Sequence, residues 1–237
     1  MNPVFLALDF PTWKEAKHFI KVHQLEGVPV KVGMELFYRE GPKVIEALKK
    51  DGHPIFLDLK LHDIPTTVER AMQNLSRLEV DYVNVHALGG REMIKRAKEG
   101  LLAGSQGGTS PKLLAVTILT SFDETTLHRD LQLRGSLESN VLHFASMAYE
   151  SGADGVVCSV HEAKKIKEIT ATDFETVTPG IRLATDQSDD QKRVATPSFA
   201  RSQQVDKMVI GRSITKAKQP RNAYELALKE WEHGFTD

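Results

Sequence analysis

The sequence predicts an α/β fold and, within that class, a (β/α)8 (TIM) barrel. Three observations carry this expectation. Eight short apolar runs recur along the chain, several rich in Val and Ile, as parallel strands covered on both faces should be. A helical pattern follows the runs. Polar and charged residues gather where the runs end, the end at which such barrels place their chemistry. An open doubly wound sheet is the structural alternative.

The expected strands are 4–8, 28–32, 55–60, 82–86, 112–118, 155–159, 174–178 and 207–210. Between them lie helix signals. Thr12-x-x-Glu15, Thr66-x-x-Glu69 and Ser159-x-x-Glu162 have the form of capping boxes. Thr196-Pro197 reads as an N-cap followed by Pro at the first helical position. Phe19, Val22 and His23 fall on one helical face, as do Leu142, Ala145 and Tyr149, and later Tyr224, Leu228 and Trp231. Such stripes are most simply core-facing. The longest stretches without a helical pattern are 104–111 and 120–135. The first is Gly-rich but lacks the Gly-Lys-Ser/Thr of a phosphate loop. No linker or low-complexity tract divides the chain, so residues 1–237 are expected to form one domain.

Composition excludes several classes. The chain is 41% hydrophobic and 27% charged, an ordinary globular balance. A net charge of -1 offers no basic field for nucleic acid or an anionic membrane. No apolar run is long enough to span a bilayer, and the N-terminus leads directly into a strand-like segment without a signal-peptide pattern. The single cysteine, Cys158, precludes an intrachain disulfide and fits a reducing, cytoplasmic setting. Its apolar surroundings suit a small buried core residue better than a nucleophile.

Residues 56–67 read Phe-Leu-Asp-Leu-Lys-Leu-His-Asp-Ile-Pro-Thr-Thr. Asp58 and Lys60 lie two apart in an apolar strand, so both side chains project to one face. Asp63 follows just before a Pro and a helix start. Charge at the end of a buried strand is costly unless paired or used. A buried ion pair that only fixes register is the plainer reading.

Other strand ends add to this picture: Asp9 after the first strand, Lys31 and Gly33 in the second, His86 in the fourth, Thr117 and Thr120 after the fifth. The seventh leads into Thr178-Pro-Gly-Ile-Arg182 and the eighth into Gly211-Arg212-Ser213. Loops after strands seven and eight of such barrels often bind phosphate. Gly211 lets a backbone N–H approach an anion and Arg212 offers a planar fork, although a surface ion pair would also account for Arg212. The polar, acidic stretch 183–193, with Gln191 near its end, is either a mobile lid or a solvated connection. His86 and His62 read first as satisfied structural groups. No cluster of His, Cys and carboxylates demands a transition metal.

Taken together, Ala7-Leu-Asp-Phe10, Val30-Lys-Val-Gly-Met-Glu-Leu-Phe37, residues 56–67, Val177-Thr-Pro-Gly-Ile-Arg182 and Val209-Ile-Gly-Arg-Ser-Ile214 resemble the bacterial orotidine 5′-phosphate decarboxylases nearly end to end. The resemblance implies cofactor-independent decarboxylation of orotidine 5′-monophosphate to UMP and CO2, the last step of de novo pyrimidine biosynthesis, by a homodimer. It implies that Lys60 protonates C6 of the base and that Asp58 faces the substrate carboxylate. Lys31 and Asp9 would contact the ribose hydroxyls and hold the charged array. Asp63 would reach into the neighbouring subunit's site and complete a Lys31/Asp58/Lys60/Asp63 charge array, its carboxylate and that of Asp58 keeping Lys60 protonated. Thr67 would approach the partner's bound nucleotide. Gln191, Gly211 and Arg212 would hold the phosphate with help from Arg182, and Thr120 would lie near the pyrimidine edge. No cofactor, metal, nucleic acid or membrane partner is implied.

The Asp-x-Lys-x-x-Asp core is shared with metal-dependent sugar-phosphate enzymes, such as 3-keto-gulonate 6-phosphate decarboxylase and hexulose-phosphate synthase. Those place a carboxylate ligand for Mg²⁺ where this chain has Lys31, and a cation there repels a metal. A non-catalytic phosphate-binding barrel is the rival from another class. A mere binder, however, needs no ammonium beside a carboxylate.

Overall fold

The computed structural model describes residues 2–105, 107–183 and 194–233. Eight parallel strands close into a barrel in sequence order. They are β1 (Val4–Ala7), β2 (Val30–Gly33), β3 (Ile55–Leu61), β4 (Tyr82–His86), β5 (Lys112–Val116), β6 (Gly155–Val157), β7 (Glu175–Thr178) and β8 (Lys207–Ile210). Closure is made by β1, which pairs with β2 at Leu6–Val30 and with β8 at Phe5–Val209. The open-sheet alternative is thereby excluded.

Helices pack around the outside: α1 (Trp13–Val22), α2 (Met34–Glu40), α3 (Pro42–Lys50), α4 (Pro65–Ser76), α5 (Gly90–Gly104), α6 (Glu124–Arg129), α7 (Leu137–Glu150), α8 (Val160–Ile169), α9 (Pro197–Ser202), α10 (Arg212–Thr215) and α11 (Pro220–His233). None is long and apolar enough to cross a membrane. The period-two alternation of each strand splits the core in two. Outward residues such as Leu6, Val30, Leu57, Val83 and Val156 meet the helices in a continuous buried shell. Inward residues Phe5, Phe56, Tyr82, Leu114, Val116, Val157 and Val177 fill the barrel. The rings of Phe5, Phe56 and Tyr82 meet edge to face, with centroids 5.6–6.3 Å apart. Burying each such side chain contributes about 1.5–3 kcal/mol. The three together make a solid floor beneath the C-terminal mouth.

The N-terminal rim is closed by a repeated device. Asp81, Asp154 and Asp206 each stand immediately before an even-numbered strand. Each accepts the N–H of a residue in the neighbouring odd strand: Ile55, Leu113 and Thr176, all at 2.7 Å. Asp154 also pairs with Lys98, and Asp206 with Lys167. These carboxylates satisfy donors at the bottom of the barrel that no ladder reaches. A different constraint governs α4 and α5. A Cβ on Gly100 would stand 2.2 Å from the Glu69 carbonyl oxygen, so only glycine lets α5 lie directly on α4.

Local signals hold unevenly. Ser159 and Glu162 form the full capping box, and Thr196 caps α9 with Pro197 in its first turn. Thr12 caps α1, but the Glu15 carboxylate returns to the Thr12 hydroxyl. Thr66 is not a cap: α4 begins at Pro65, because Pro fixes a helical φ and needs no N–H partner, which moves the start upstream of Thr66. The 120–135 stretch contains α6, started by the Asp123 side chain accepting from Thr126 N–H. Of the stripes, Tyr224 and Trp231 are buried, whereas Val22 and Tyr149 are largely exposed at the edges of their helices' core faces. Cys158 is buried, as its setting suggests.

Asp154→Ala should lower unfolding free energy by about 1–3 kcal/mol, the cost of stripping a partner from a partly buried strand N–H. Urea denaturation of the variant beside the unaltered chain measures it, and an unchanged midpoint would show that water replaces the carboxylate fully.

Candidate active site

At the mouth of the barrel four charged side chains from three adjacent strands alternate in sign. Lys60 Nζ donates to Asp58 Oδ1 at 2.6 Å. Lys31 Nζ lies 3.8 Å from the other Asp58 oxygen and donates to Asp9 Oδ1 at 2.7 Å. Burial falls along this chain of charges from its inner to its outer members. The side chains of Lys31 and Asp58 are 10% and 15% exposed, that of Lys60 28%, and that of Asp9 61%. Gly33 makes space for the array, since a Cβ there would stand 3.1 Å from Lys31 Nζ.

Asp58 and Lys60 share a face, as alternation predicts, but the strand between them is not regular. Leu57 pairs with Val83 and Leu61 with Val85, so β3 advances four residues while β4 advances two. Lys60 takes φ +50° within this irregular stretch. For a residue with a Cβ that conformation costs roughly 1–2 kcal/mol. Opposite it sits Asn84, fully buried. Its Oδ1 accepts the Lys60 backbone N–H and its Nδ2 donates to Asp58 Oδ1, both at 2.7 Å. The sequence reading passes over Asn84. The signal is the alternation Tyr82, Asn84, His86, which sets a polar side chain on the inward face of an otherwise apolar strand.

Burial acts to raise the Asp58 pKa. The charges of Lys60 and Lys31 and the hydrogen bonds from Lys60 and Asn84 outweigh it, so the carboxyl is held below its usual range. His86 stacks on His62 with ring centroids 5.7 Å apart. Burial first, then the neighbouring His62 and Lys60, push its pKa down, which favours the neutral ring. His86 thus borders the array without adding charge to it.

A cavity of about 350 Å³ opens above the array, within the range of small-molecule sites. Asp9, Lys31, Asp58 and Lys60 line it together with the apolar Val116, Ile118, Leu119, Val157 and Cys158. Thr120, Gly180, Arg182, Gly211 and Arg212 complete it. Arg182 Nη1 donates to Ile181 O, while Nη2 is buried and has no hydrogen-bond partner among the described residues. The donor placement suits an anion at this side. Thr117, by contrast, turns to the backbone, donating to Val157 O. Asp63 and Thr67 are exposed and lie outside this cavity; Asp63 Oδ1 accepts the N–H of Ile64. Gln191 lies outside the described residues. Among those described, no three His, Cys, Asp or Glu side chains gather as a metal site.

Residues 2–227 match the family model described as "Orotidine 5'-phosphate decarboxylase / HUMPS family". The chain is 56% identical over 230 residues to an orotidine 5'-phosphate decarboxylase of Bacillus pumilus, covering 96% of this chain and 97% of that one. It is 52% identical to one of Listeria innocua, covering 98% and 99%. Among solved structures it is similar to the orotidine 5'-phosphate decarboxylase of Lactobacillus acidophilus, with a TM-score of 0.84 and 45% identity over 98% of this chain and 99% of the other.

Proposed function

The chain belongs to the orotidine 5′-phosphate decarboxylase / HUMPS family, and from that premise we propose that it converts orotidine 5′-monophosphate to UMP and CO2 in the last step of pyrimidine biosynthesis, as a carboxy-lyase using its own side chains. The observation that carries this reading is the Lys60 ammonium, bonded to Asp58 on the wall of a cavity that Arg182 and Arg212 also line.

Loss of CO2 from C6 leaves an electron pair in the plane of the ring, where the π-system cannot spread it. Stabilisation must then be electrostatic. An ammonium beside C6 opposes the developing charge and delivers the proton, with Asp58 keeping Lys60 charged. Asp58 also repels the substrate carboxylate until it departs. Two unit charges about 4 Å apart interact by roughly 4 kcal/mol at an effective dielectric of 20. Enzymes lower barriers by about 8–23 kcal/mol, so repulsion is the lesser part and charge stabilisation by Lys60 the greater. Lys31 and Asp9 would bind the ribose, Thr120 the pyrimidine edge, and Gly211, Arg212, Arg182 and Gln191 the phosphate. Lys31 sits against Asp58 where the metal-dependent relatives would need an anionic ligand, which supports the metal-free reaction.

Asp63 is exposed, and Ile64 beside it is 70% exposed. That placement supports a homodimer in which Asp63 and Thr67 serve the neighbouring site. The chain would work as one barrel domain, in the cytoplasm.

Purified protein should consume orotidine 5′-monophosphate, followed by ultraviolet absorbance and CO2 release, at an undiminished rate in EDTA; dependence on added Mg²⁺ would move it to the sugar-phosphate branch. Lys60→Ala should lower turnover by at least about 10²-fold while UMP still binds, since proton transfer by a placed side chain contributes about 10²–10⁴-fold; near-normal turnover would refute the assignment. Mixing Asp63→Ala with Lys60→Ala protomers should restore activity through one intact composite site per mixed dimer, and a mixture as inactive as its parents would argue for self-contained sites.

A further inference from the structure

Resting on the reaction proposed above, we infer that Asn84 is a positioning residue, which aims Lys60 by repairing the break in the β3–β4 ladder. Between Leu57–Val83 and Leu61–Val85 the two strands fall out of step, and Asn84 is the β4 residue facing the excess β3 chain. A parallel ladder would satisfy the backbone there; the irregular stretch cannot. The Asn84 carbonyl takes the Lys60 N–H instead, and its amide holds the Asp58 oxygen to which Lys60 Nζ also donates.

One planar amide therefore fixes the reacting amine from both ends. It pins the Lys60 backbone at φ +50°, and it orients the carboxylate that receives Nζ. At neutral pH the Asn amide offers a donor and an acceptor on separate atoms this close to the backbone, whereas a Ser or Thr hydroxyl has only one atom for both. Asp removes the donor when ionised, Leu removes both functions at similar size, and Gln is one methylene too long for a fully packed position. Asn84 does not line the cavity, so its influence runs through Lys60 and Asp58.

The charged and titratable groups facing this position are Asp58 and Lys60 on β3, Lys31 on β2 through Asp58, and His86 with its stacked His62. From β5 the register partner is the apolar Leu114. An acid placed here meets Asp58 directly. As a neutral carboxyl, it can donate to Asp58 and accept from Lys60 N–H, reproducing Asn84. As a carboxylate it can only accept, and it repels Asp58.

The test compares Asn84→Leu and Asn84→Asp with the unaltered chain. Readouts are circular dichroism, UMP affinity, and kcat and KM on orotidine 5′-monophosphate across pH. A misplacement of about 1 Å can cost 10²-fold, so kcat should fall about 100-fold in both variants at neutral pH, with KM and UMP affinity little changed. Asn84→Asp should regain kcat, relative to the unaltered chain at each pH, as pH falls and the new carboxyl is protonated. Asn84→Leu should not. A general loss of packing would not produce that acid rescue. If Asn84→Leu does not fold, the pH dependence of Asn84→Asp decides alone. A kcat within about threefold of the unaltered chain (under 1 kcal/mol), or a deficit in Asn84→Asp that is flat with pH, overturns the inference. If the unaltered chain binds UMP but turns over no substrate, the proposed reaction fails. A crystal structure of Asn84→Asp then decides at high pH: Lys60 leaving its positive φ sustains the positioning role, and an undisturbed Lys60 ends it.

Discussion

Asp58 is the constraint on which the rest of this molecule depends. A carboxylate withdrawn from water costs several kcal/mol unless its lone pairs are met. Here one oxygen takes Lys60 and Asn84, and the other faces Lys31. Each partner is placed by a different strand or by a bulge in the same one, so the carboxylate dictates features well beyond its own position. It demands a cation on β2, an amide on β4 and an interrupted β3. Gly33 lacks a side chain where the β2 cation needs volume. Removing one partner alone would leave buried charge uncompensated, which is worse than never having buried it.

The two ends of the barrel use similar residue types to different effect. At the N-terminal end, the Tyr82 hydroxyl and Lys112 both engage Glu175, and aspartates before alternate strands take neighbouring N–H groups. Those groups close the rim. Between the ends, Phe5, Phe56 and Tyr82 form a packed aromatic plug. The plug closes the array from below, and its exposure is through the cavity and through a smaller cleft beside Gly33, Met34 and Glu35. At the C-terminal end the array is self-paired yet keeps Lys60 accessible to that cavity. An ammonium held by one carboxylate can stabilise a new anion; one whose three donors are all taken, as those of Lys167 are by Asp206 and the Thr172 and Phe174 carbonyls, is structural.

Much of this was legible in the sequence because it follows from periodicity. Alternation in the third apolar run placed Asp58 and Lys60 on one face, and the recurrence of strand and helix pointed to the barrel. What escaped depends on tertiary geometry. Thr66 had the right spacing for a cap, yet Pro65 started α4 earlier. The helix α6 is too short to show an amphipathic period in a polar stretch. The β3 irregularity has no glycine to announce it, because Lys60 itself takes the positive φ. Asn84 was visible as a polar residue on an inward face, but its two partners lie on another strand. Asp63 and Thr67, which the resemblance assigns to a neighbouring subunit's site, stand outside the cavity of their own chain.

The charges also suggest how binding and chemistry divide under the proposed reaction. Asp9, Lys31, Asp58 and Lys60 alternate and cancel, so the end of the cavity that would receive the carboxylate has no net attraction for it. Arg182 and Arg212 also line the cavity, from the chain that follows β7 and β8, and a phosphate monoester carries about −1.5 to −2 charge at neutral pH. The phosphate is thus matched by cations and the carboxylate is not. Attraction at the remote end would then hold the reacting end where it is least favoured, beside Asp58, and departure of neutral CO2 would remove that conflict while leaving Lys60 beside the new electron pair. Binding energy from a part of the substrate that does not react would be expressed in turnover. This division needs Lys60 fixed rather than mobile, since an ammonium free to follow the carboxylate would stabilise the ground state as well as the transition state.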